Sequence, residues 1–449
     1  MNKPSSNADN GGAAVSQQSE IKTNTGKLIS PGHAKYVLLV LFVVYIFNFA
    51  DRFILIVVQE DVKKDLGLSD AQLGWLTGLA FALFYTTVGL PIARLADRKN
   101  RTTIMAIGLT VWSGLTAVCG LAQNFVHLIM ARVGVGVGEA TATPCAHSLI
   151  SDYYPPEKRA RAIGLYTIGA NFGMLLGMMG GGFVAEKFVW RTAFFVVGLP
   201  GILLAILVKV TVREPPRGLS DNLKQEIENL PLADTFRYLF SLKSFRHLCL
   251  AGAVAAMTGF GIMNWCAPFF ERLHGMTKDE TGPVLGIAMG IVGGLSTFLG
   301  AFLADKLSSR TRKWYMRIAA IGMVAMLPFL VLFIMTESKT IAIVGINLTF
   351  LVGLFYNAPT FATVQGLARP DMRALASAIF LFIINLIGMG LGPLIVGYLS
   401  DLLEPKYGVE SIRYALLIIS AGTLWATVHY LLAARTLPED LNKAKSFNS

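Results

Sequence analysis

The chain has 449 residues, and its composition is too apolar for a soluble protein of this size. Hydrophobic residues make up 54% before the 44 glycines are counted, and charged residues make up only 15%. A soluble domain has about 45–50% apolar residues with glycine included, and about 25% charged residues. The composition excludes an ordinary soluble enzyme, a disordered chain and a secreted disulfide scaffold, and it indicates a polytopic membrane protein.

Twelve apolar stretches are each long enough to cross a bilayer, which takes about 20 mostly apolar residues in a helix. None of them alternates with the period of two that a barrel strand shows. We therefore predict an all-α polytopic membrane protein with 12 transmembrane helices. The predicted spans are 36–58, 72–95, 103–123, 126–150, 160–185, 191–212, 246–270, 281–304, 315–335, 340–362, 374–400 and 411–434.

A long polar segment divides the spans into two sets of six. It covers residues 213–245 and contains an amphipathic stretch at 232–240, for which we expect a helix that lies in the membrane interface or packs on the cytoplasmic face. The predicted organisation is a disordered cytoplasmic tail (1–33), an N-terminal six-helix half (34–212), the linker (213–245), a C-terminal six-helix half (246–434) and a cytoplasmic tail (435–449).

Basic residues are concentrated on one side of the predicted membrane. Of the 39 Lys and Arg residues, 27 fall on the side of the termini, 9 fall on the other side, and Arg52, Arg132 and Lys209 lie within spans. The positive-inside rule then predicts that both termini are cytoplasmic. The net charge of +11 is thus mainly a topology signal, and we expect no nucleic-acid partner. We predict a monomer in the lipids of a bacterial inner membrane.

The two halves repeat each other. Asp97, in the loop after span 2, has a counterpart in Asp305, 208 residues later. Arg159, before span 5, has a counterpart in Arg373, 214 residues later, and a pair of asparagines within spans 5 and 11 has the same spacing. Two pseudo-symmetric six-helix halves are the architecture of a rocking transporter whose site lies near the midplane between the halves.

Two segments resemble signatures of the major facilitator superfamily. The segment from Gly89 to Arg101, with Asp97 and Arg98, resembles its loop 2–3 signature, and the run 132–138, Arg-Val-Gly-Val-Gly-Val-Gly, resembles its span 4 signature. The resemblance implies the fold of this superfamily.

Two further segments resemble the Spinster family within that superfamily. They are Asn48-Phe-Ala-Asp51-Arg52 in span 1 and the run 132–140 in span 4. The resemblance implies a transporter of lysophospholipids or sphingosine phosphates.

The loop 2–3 signature also implies a gating role. In the superfamily it joins the two halves in the outward-open state, with its Asp near the N-terminus of helix 11, where a helix dipole favours an anion. Here the Asp is Asp97 and that helix begins at Arg373. We expect the loss of Asp97 to change the conformational balance more than the substrate affinity.

Four ionisable residues lie deep in spans 1 and 4, where a charge is costly and usually functional. Asp51 and Arg132 are at matched depth, so Asp51 can pair with Arg132 or with its neighbour Arg52. Glu139 follows Arg132 by seven residues, close to two helical turns, and shares its face. We expect Asp51 and Glu139 to couple transport to protons, with Arg52 and Arg132 as switching partners. The alternative is a permanent ion-pair cluster that fixes span 1 on span 4.

The second half offers polar and aromatic residues rather than charges at depth. They suit a cavity that binds an amphiphile with an ionic head, although each residue alone is more often a helix-packing group. A hydrophobic drug or a small organic anion would also fit. The candidate substrate-binding residues, together with Arg132 and Glu139, are Asn264, Trp265, Tyr356, Phe380 and Asn385.

The sequence gives no indication of enzyme chemistry. The six histidines have no metal-binding spacing, no catalytic triad can be assembled, and the ATP-binding sequence GxxxxGK[ST] is absent. We therefore expect no metal and no cofactor, and a proton gradient as the driving force. A membrane enzyme or a non-transporting receptor on the same helices is the alternative from another class.

Overall fold

The computed structural model describes residues 21–22, 28–217, 232–369 and 372–446. Apart from two short strands and a short linker helix, these residues form a bundle of 12 long helices. The N-terminal half consists of α1 (Pro31–Leu66), α2 (Asp70–Arg98), α3 (Arg101–Cys119), α4 (Phe125–Tyr153), α5 (Pro156–Lys187) and α6 (Trp190–Thr211). The C-terminal half consists of α7 (Lys243–His274), α8 (Lys278–Ser308), α9 (Lys313–Met335), α10 (Lys339–Leu367), α11 (373–407) and α12 (411–446).

Each of the 12 predicted spans corresponds to one of these helices, although the span 103–123 runs past the end of α3 at Cys119. Most helices are longer than the apolar stretch that predicted them, because a helix continues with polar residues after it leaves the hydrocarbon. Helix α1, for example, extends past residue 58 through Lys63 and Lys64 to Leu66. Helix α12 likewise continues to Ser446 through much of the predicted tail 435–449.

Little of the predicted N-terminal tail is described. Residues 1–20 and 23–27 lie outside the described part of the chain. Two short strands, β1 (Ile21–Lys22) and β2 (Leu28–Ile29), pair antiparallel just before α1. Helix α1 begins at Pro31, within the predicted tail, and its first turn is capped by the Ser30 side chain.

The first helix of each half ends in the same way. Gly67 closes α1 with φ of 63°, and Gly275 closes α7 with φ of 60°, in the left-handed conformation that glycine adopts most easily. The two glycines are 208 residues apart, the same spacing that relates Asp97 to Asp305.

The same helix pairs pack together in both halves. Helix α1 packs on α5 and α3 packs on α6; α7 packs on α11 and α9 packs on α12. Departures from α-helical geometry also recur, with π turns in α2 (Trp75–Leu79) and α8 (Ile287–Val292). Likewise, α4 is interrupted after Glu139 and α10 after Gly353. The halves are therefore similar in shape as well as in sequence.

With six helices in each half, the start of α1, the end of α6, the start of α7 and the end of α12 lie at one end of the bundle, here called the terminal face; the opposite end is the distal face. The halves meet mainly through two antiparallel helix pairs, α2 with α11 and α5 with α8. The inter-half contacts of these pairs include Gly74 with Pro393 and Gly182 with Lys278, toward the distal face.

The described part of the linker includes a short helix, Leu232–Ser241. It packs on the terminal-face ends of α7 and α11, with Leu239 fully buried. Phe236 stacks on Phe240, with ring centroids 4.2 Å apart, and is half exposed. The helix thus packs on the terminal-face end of the bundle, one of the two placements that its amphipathic pattern allowed, and leaves Phe236 half exposed.

A glycine substitution tests the packing of α6 on α3. A methyl group added at Gly198 would lie 2.6 Å from the carbonyl oxygen of Ser113 and 2.7 Å from the amide nitrogen of Ala117. Because the clash is with backbone, we expect Gly198→Ala to destabilise the protein by about 1–3 kcal/mol and lower its apparent Tm in detergent.

Gly114→Ala is the matched control. Gly114 lies in the same α3, but a methyl group there would meet nothing within 4 Å. It should leave the Tm unchanged or raise it, since alanine is the better helix former. Equal Tm values for the two variants would show that α3 and α6 are less closely packed than described.

Candidate functional site

The structure brings Asp51, Arg52, Arg132 and Glu139 together between α1 and α4. Asp51, Arg132 and Glu139 are each no more than 2% exposed, and the side chain of Arg52 is 14% exposed. These four residues are called the charge cluster below. It contains two carboxylates and two guanidinium groups, so its formal charges sum to zero.

Asp51 contacts Arg132, one of its two predicted partners. An oxygen of Asp51 lies 3.7 Å from Nη1 of Arg132. Its other oxygen accepts a hydrogen bond from the hydroxyl group of Thr116 on α3, and the same hydroxyl reaches the carbonyl oxygen of Trp112 at 2.9 Å. Helix α3 is therefore the third helix, after α1 and α4, that positions the Asp51 carboxylate.

Glu139 pairs with Arg52, a combination that sequence reasoning did not propose. Oε2 of Glu139 accepts hydrogen bonds from Nε of Arg52 at 2.5 Å and from the amide of Asn48 at 3.0 Å. Asn48 and Arg52 are four residues apart on α1 and so share a helix face. The motif Asn48-Phe-Ala-Asp51-Arg52 thus directs two donors toward Glu139 and one carboxylate toward Arg132.

Aromatic rings surround the Arg52 guanidinium. Its central carbon lies 4.6 Å from the ring centroid of Tyr85, 4.8 Å from that of Phe81 and 5.1 Å from that of Phe49. Cation–π attraction of this kind stabilises a desolvated cation. Phe81 also lies 5.4 Å from Arg132, so one ring of α2 contacts both arginines.

Glu139 occupies the end of the first segment of α4. The helix is interrupted at residues 140–141 and resumes at Ala142. At the interruption the carbonyl of Gly138 accepts the hydroxyl of Thr141 at 2.8 Å. Interrupted helices near the midplane are where many transporters bind ions and substrates, because free backbone groups and a side chain meet there.

The charge cluster leaves several polar atoms without hydrogen-bond partners among the described residues. They are one oxygen each of Asp51 and Glu139, and Nε and Nη1 of Arg132. A buried polar atom without a partner is costly, so the two oxygens are available to a proton or a donor group, and the two nitrogens are available to water or another acceptor.

The C-terminal candidates are not gathered at the charge cluster. The Trp265 indole is fully buried, and its N–H donates to the carbonyl of Pro393 at 2.9 Å. Asn264 donates to the carbonyl of Phe260 on its own helix, and its backbone carbonyl accepts from Gln59 of α1. These residues hold α7 against α11 and α1.

The remaining C-terminal candidates also have packing contacts. Phe380 is buried, edge-on to Phe361 at 5.4 Å. Tyr356 lies at the interruption of α10, and Asn385 begins a π turn of α11, Asn385–Leu391. Tyr356 and Asn385 are partly exposed and lie at irregular helix positions, so they are better placed than the others to meet a ligand.

The residues of the loop 2–3 signature separate into two groups. Asp97, Arg98 and Arg373 are exposed at the terminal face, and a methyl group at Gly89 would meet nothing within 4 Å. Arg101 is instead 1% exposed, and it is the most firmly bound residue of the motif.

Arg101 connects α3, α4 and the start of the linker. It pairs with Asp152 and with Glu214, the latter at 2.7 Å, and donates to the carbonyl of Pro215 at 3.0 Å. Burial would raise the pKa of Glu214, but hydrogen bonds from Thr102 and the charge of Arg101 more than offset this and hold that pKa below its ordinary value. Arg101 is therefore a structural residue of the N-terminal half.

Sequence reasoning missed a second ionic network, at the distal face. Arg272 of α7 bonds to Glu60 of α1 at 2.5 Å and to Asp70 of α2 at 2.6 Å. Lys278 of α8 pairs with Asp61 of α1 at 2.9 Å. The sequence signal for this network was the density of opposite charges at the ends of spans 1 and 7, which a count of basic residues in loops does not reveal.

The distal network joins the two halves. Among the described residues, every ion pair between the halves lies at this face. Asp97 and Arg373, the residues expected to join the halves at the terminal face, are exposed. The structure is therefore closed at the distal face, with the terminal-face contact not made.

The chain matches the Major Facilitator Superfamily model over residues 41–393. It is similar to a protein of Mycolicibacterium smegmatis described as an MFS-type efflux pump, with 31% identity over 94% of this chain and 98% of that protein. It is also similar to protein spinster homolog 1 of Xenopus tropicalis, with 25% identity over 98% of this chain and 89% of that protein.

A solved structure has the same fold. It is a bacterial homolog of the human lysosomal transporter Spinster in an inward-facing, unoccupied conformation, with 32% identity, a TM-score of 0.85, and coverage of 92% of this chain and 99% of that one. The family match, the two six-helix halves and this likeness agree. The chain therefore belongs to the Major Facilitator Superfamily, as a multi-pass membrane transporter that resembles the Spinster proteins.

Proposed function

We propose that this protein is a proton-coupled secondary active transporter that moves a lysolipid-like or sphingosine-phosphate-like amphiphile by alternating access. The observation that supports this best is the position of Glu139. This carboxylate is buried at an interruption of α4, with one oxygen on Arg52 and the other without a partner. The oxygen without a partner can accept a proton without first breaking the hydrogen bond between Glu139 and Arg52.

Proton uptake by Glu139 would release Arg52. The attraction between them depends on the negative charge of the carboxylate, and protonation removes it while leaving Arg52 cationic. The freed guanidinium then offers its donors to an anionic head group, since Arg binds phosphate and carboxylate in a bidentate way. Asp51 and Arg132 form the second pair, which we propose shares the coupling.

An amphiphile suits the surroundings of Arg52. Its cation is set among the rings of Phe49, Phe81 and Tyr85, so an ionic group and apolar surface are offered side by side. The likeness to Spinster proteins supports the same class. Export of a hydrophobic drug or a small organic anion is the second candidate, favoured by likeness to a protein described as an efflux pump.

The charge distribution supports an orientation. With most basic residues on the side of the termini, we propose that the terminal face is cytoplasmic in a bacterial inner membrane. The structure would then be inward-facing, as is the Spinster homolog that it resembles. We propose that the protein acts as a monomer without cofactor or metal, driven by the proton gradient.

Coupling can be measured in proteoliposomes with a pH gradient of one unit. Each proton coupled to one substrate molecule across such a gradient supports an about tenfold substrate concentration ratio. Glu139→Gln cannot titrate, so we expect it to lose the contribution of its proton while still exchanging labelled substrate across the membrane without a gradient.

The control for coupling is Glu337→Gln. Glu337 is an exposed carboxylate in the loop between α9 and α10. It should accumulate substrate as the wild type does. An unchanged accumulation ratio in Glu139→Gln would remove Glu139 from the proposed mechanism, whichever direction the substrate moves.

The substrate class can be tested by thermal shift in detergent. At 100 times its Kd a ligand stabilises the folded state by about 2.7 kcal/mol, so the Tm should rise. We expect lysophospholipids or sphingoid phosphates to raise it and small organic anions without a chain to leave it unchanged. The opposite ranking would favour the anion exporter.

Variants of Arg52 test where the head group binds. The double variant Arg52→Gln with Glu139→Gln keeps the charge cluster neutral, and we expect its Tm no longer to rise when lysolipid is added. Arg161→Gln removes an exposed cation at the start of α5, and its Tm should still rise. A full response in the double variant would place the head group elsewhere.

A further inference from the structure

Four helices end in the same short pattern, a small residue followed four positions later by an acid. Helices α2 and α8 end in this way at the terminal face, and α5 and α11 end in this way at the distal face. The pairs are Ala93 and Asp97 in α2, Gly182 and Glu186 in α5, Ala301 and Asp305 in α8, and Gly397 and Asp401 in α11.

At the distal face, the acid of α11 caps a helix of the other half. Asp401 accepts hydrogen bonds from the backbone N–H groups of Asp70 at 2.9 Å and Ala71 at 2.8 Å, the first two residues of α2. Gly397 makes the approach possible, because a methyl group there would lie 2.2 Å from the carbonyl oxygen of Asp70.

At the other crossing, the acid of α5 caps α8 in the same way. Glu186 accepts a hydrogen bond from the backbone N–H of Lys278, the first residue of α8, at 3.0 Å. A methyl group at Gly182 would lie 2.4 Å from the carbonyl oxygen of Lys278. In both crossings the glycine touches the carbonyl of the same residue whose N–H the acid accepts.

A π turn keeps the two crossings in register. Asn171 and Asn385 are 214 residues apart, but the glycine–acid patterns of α5 and α11 are 215 apart. Between Asn385 and Gly397, α11 contains the π turn Asn385–Leu391, whose wider i→i+5 turn holds an extra residue. The π turn thus accommodates the extra residue of α11 before Gly397, so Gly397 and Asp401 keep the same relation to the partner helix as Gly182 and Glu186.

The corresponding acids at the terminal face are not engaged with the other half. Asp97 and Asp305 are both exposed. Asp305 accepts a hydrogen bond from the hydroxyl of Tyr315, within its own half, at 2.8 Å. Two of the four patterns are therefore bound across the interface and two are free of it.

We infer that Asp401 and Glu186 are positioning residues of the transport cycle, which hold the distal face closed by capping α2 and α8 across the two halves. Each cap joins a carboxylate to one or two backbone N–H groups at a helix N-terminus, where the helix dipole adds to the attraction. Because the donor is a backbone N–H, the bond cannot be kept by a change of side-chain rotamer when the helices move apart. Opening of the distal face must therefore break both caps.

The inference rests on alternating access, and its test measures conformation without substrate, proton gradient or transport. Spin labels are placed at Val189→Cys, beside the end of α5, and at Val409→Cys, beside the end of α11. Both positions are more than 60% exposed, and all four native cysteines are buried. The distance distribution is measured by pulsed EPR in lipid nanodiscs.

Removing the caps should open the distal face. Loss of one capping side chain changes an equilibrium by about fivefold, so Asp401→Ala or Glu186→Ala should raise the population at long distance about fivefold, and the double variant more. Asp401→Asn keeps one accepting oxygen and should fall between. Gly397→Ala alters no charge but displaces the same contact, and should shift the distribution in the same direction.

A control separates capping from loss of charge. Glu404→Gln removes an exposed charge one turn beyond Asp401 and should leave the distances unchanged. The inference is overturned if the double alanine variant keeps the wild-type distribution, or if Glu404→Gln shifts it equally. If the double variant does not purify as a folded protein, the single and glycine variants decide.

Discussion

The cost of placing charge inside a bilayer governs this structure. Four ionisable side chains between α1 and α4 would each be costly alone, and they are tolerated because they pair, receive hydrogen bonds and lie against aromatic rings. That requirement fixes which faces of α1, α2, α3 and α4 must meet.

Glycine, the smallest residue, governs how the halves meet. The inter-half crossings are built where glycine lets one backbone approach another, as at Gly182 and Gly397, and the same approach allows acids to reach helix ends. Small residues are the usual means of close helix packing in membranes, where burial of apolar surface gives no preference between helices and lipid. Here they also determine where polar bonds between the halves can form.

Much of this architecture could be predicted from the sequence. Twelve apolar stretches and two internal repeats were enough for the helices and halves, because both depend on composition and spacing. The meeting of Asp51 and Arg132 followed from their depths. The pairing of Glu139 with Arg52 did not, because it depends on the rotation of α1 about its axis, which spacing within a single helix does not determine.

Other parts of the site could not be predicted for related reasons. Trp265 and Phe380 are large residues at membrane depth, and such residues line cavities or fill cores equally well; only their neighbours Pro393 and Phe361 show that they are packed. Arg101 matched a motif of exposed gating residues, yet it is buried against Glu214 and Asp152. A motif identifies residue types, whereas three-dimensional contacts decide which member is structural.

The zero net charge of the charge cluster has a consequence for energetics. A neutral site can turn from one side of a membrane to the other without work against the membrane potential, which costs about 2.3 kcal/mol per elementary charge per 100 mV. In the proposed alternating-access cycle, two carboxylates balanced by two guanidinium groups would let the empty carrier reorient at any voltage. Only what binds, whether a proton, an anion or both, would make the cycle respond to the electrical component of the gradient.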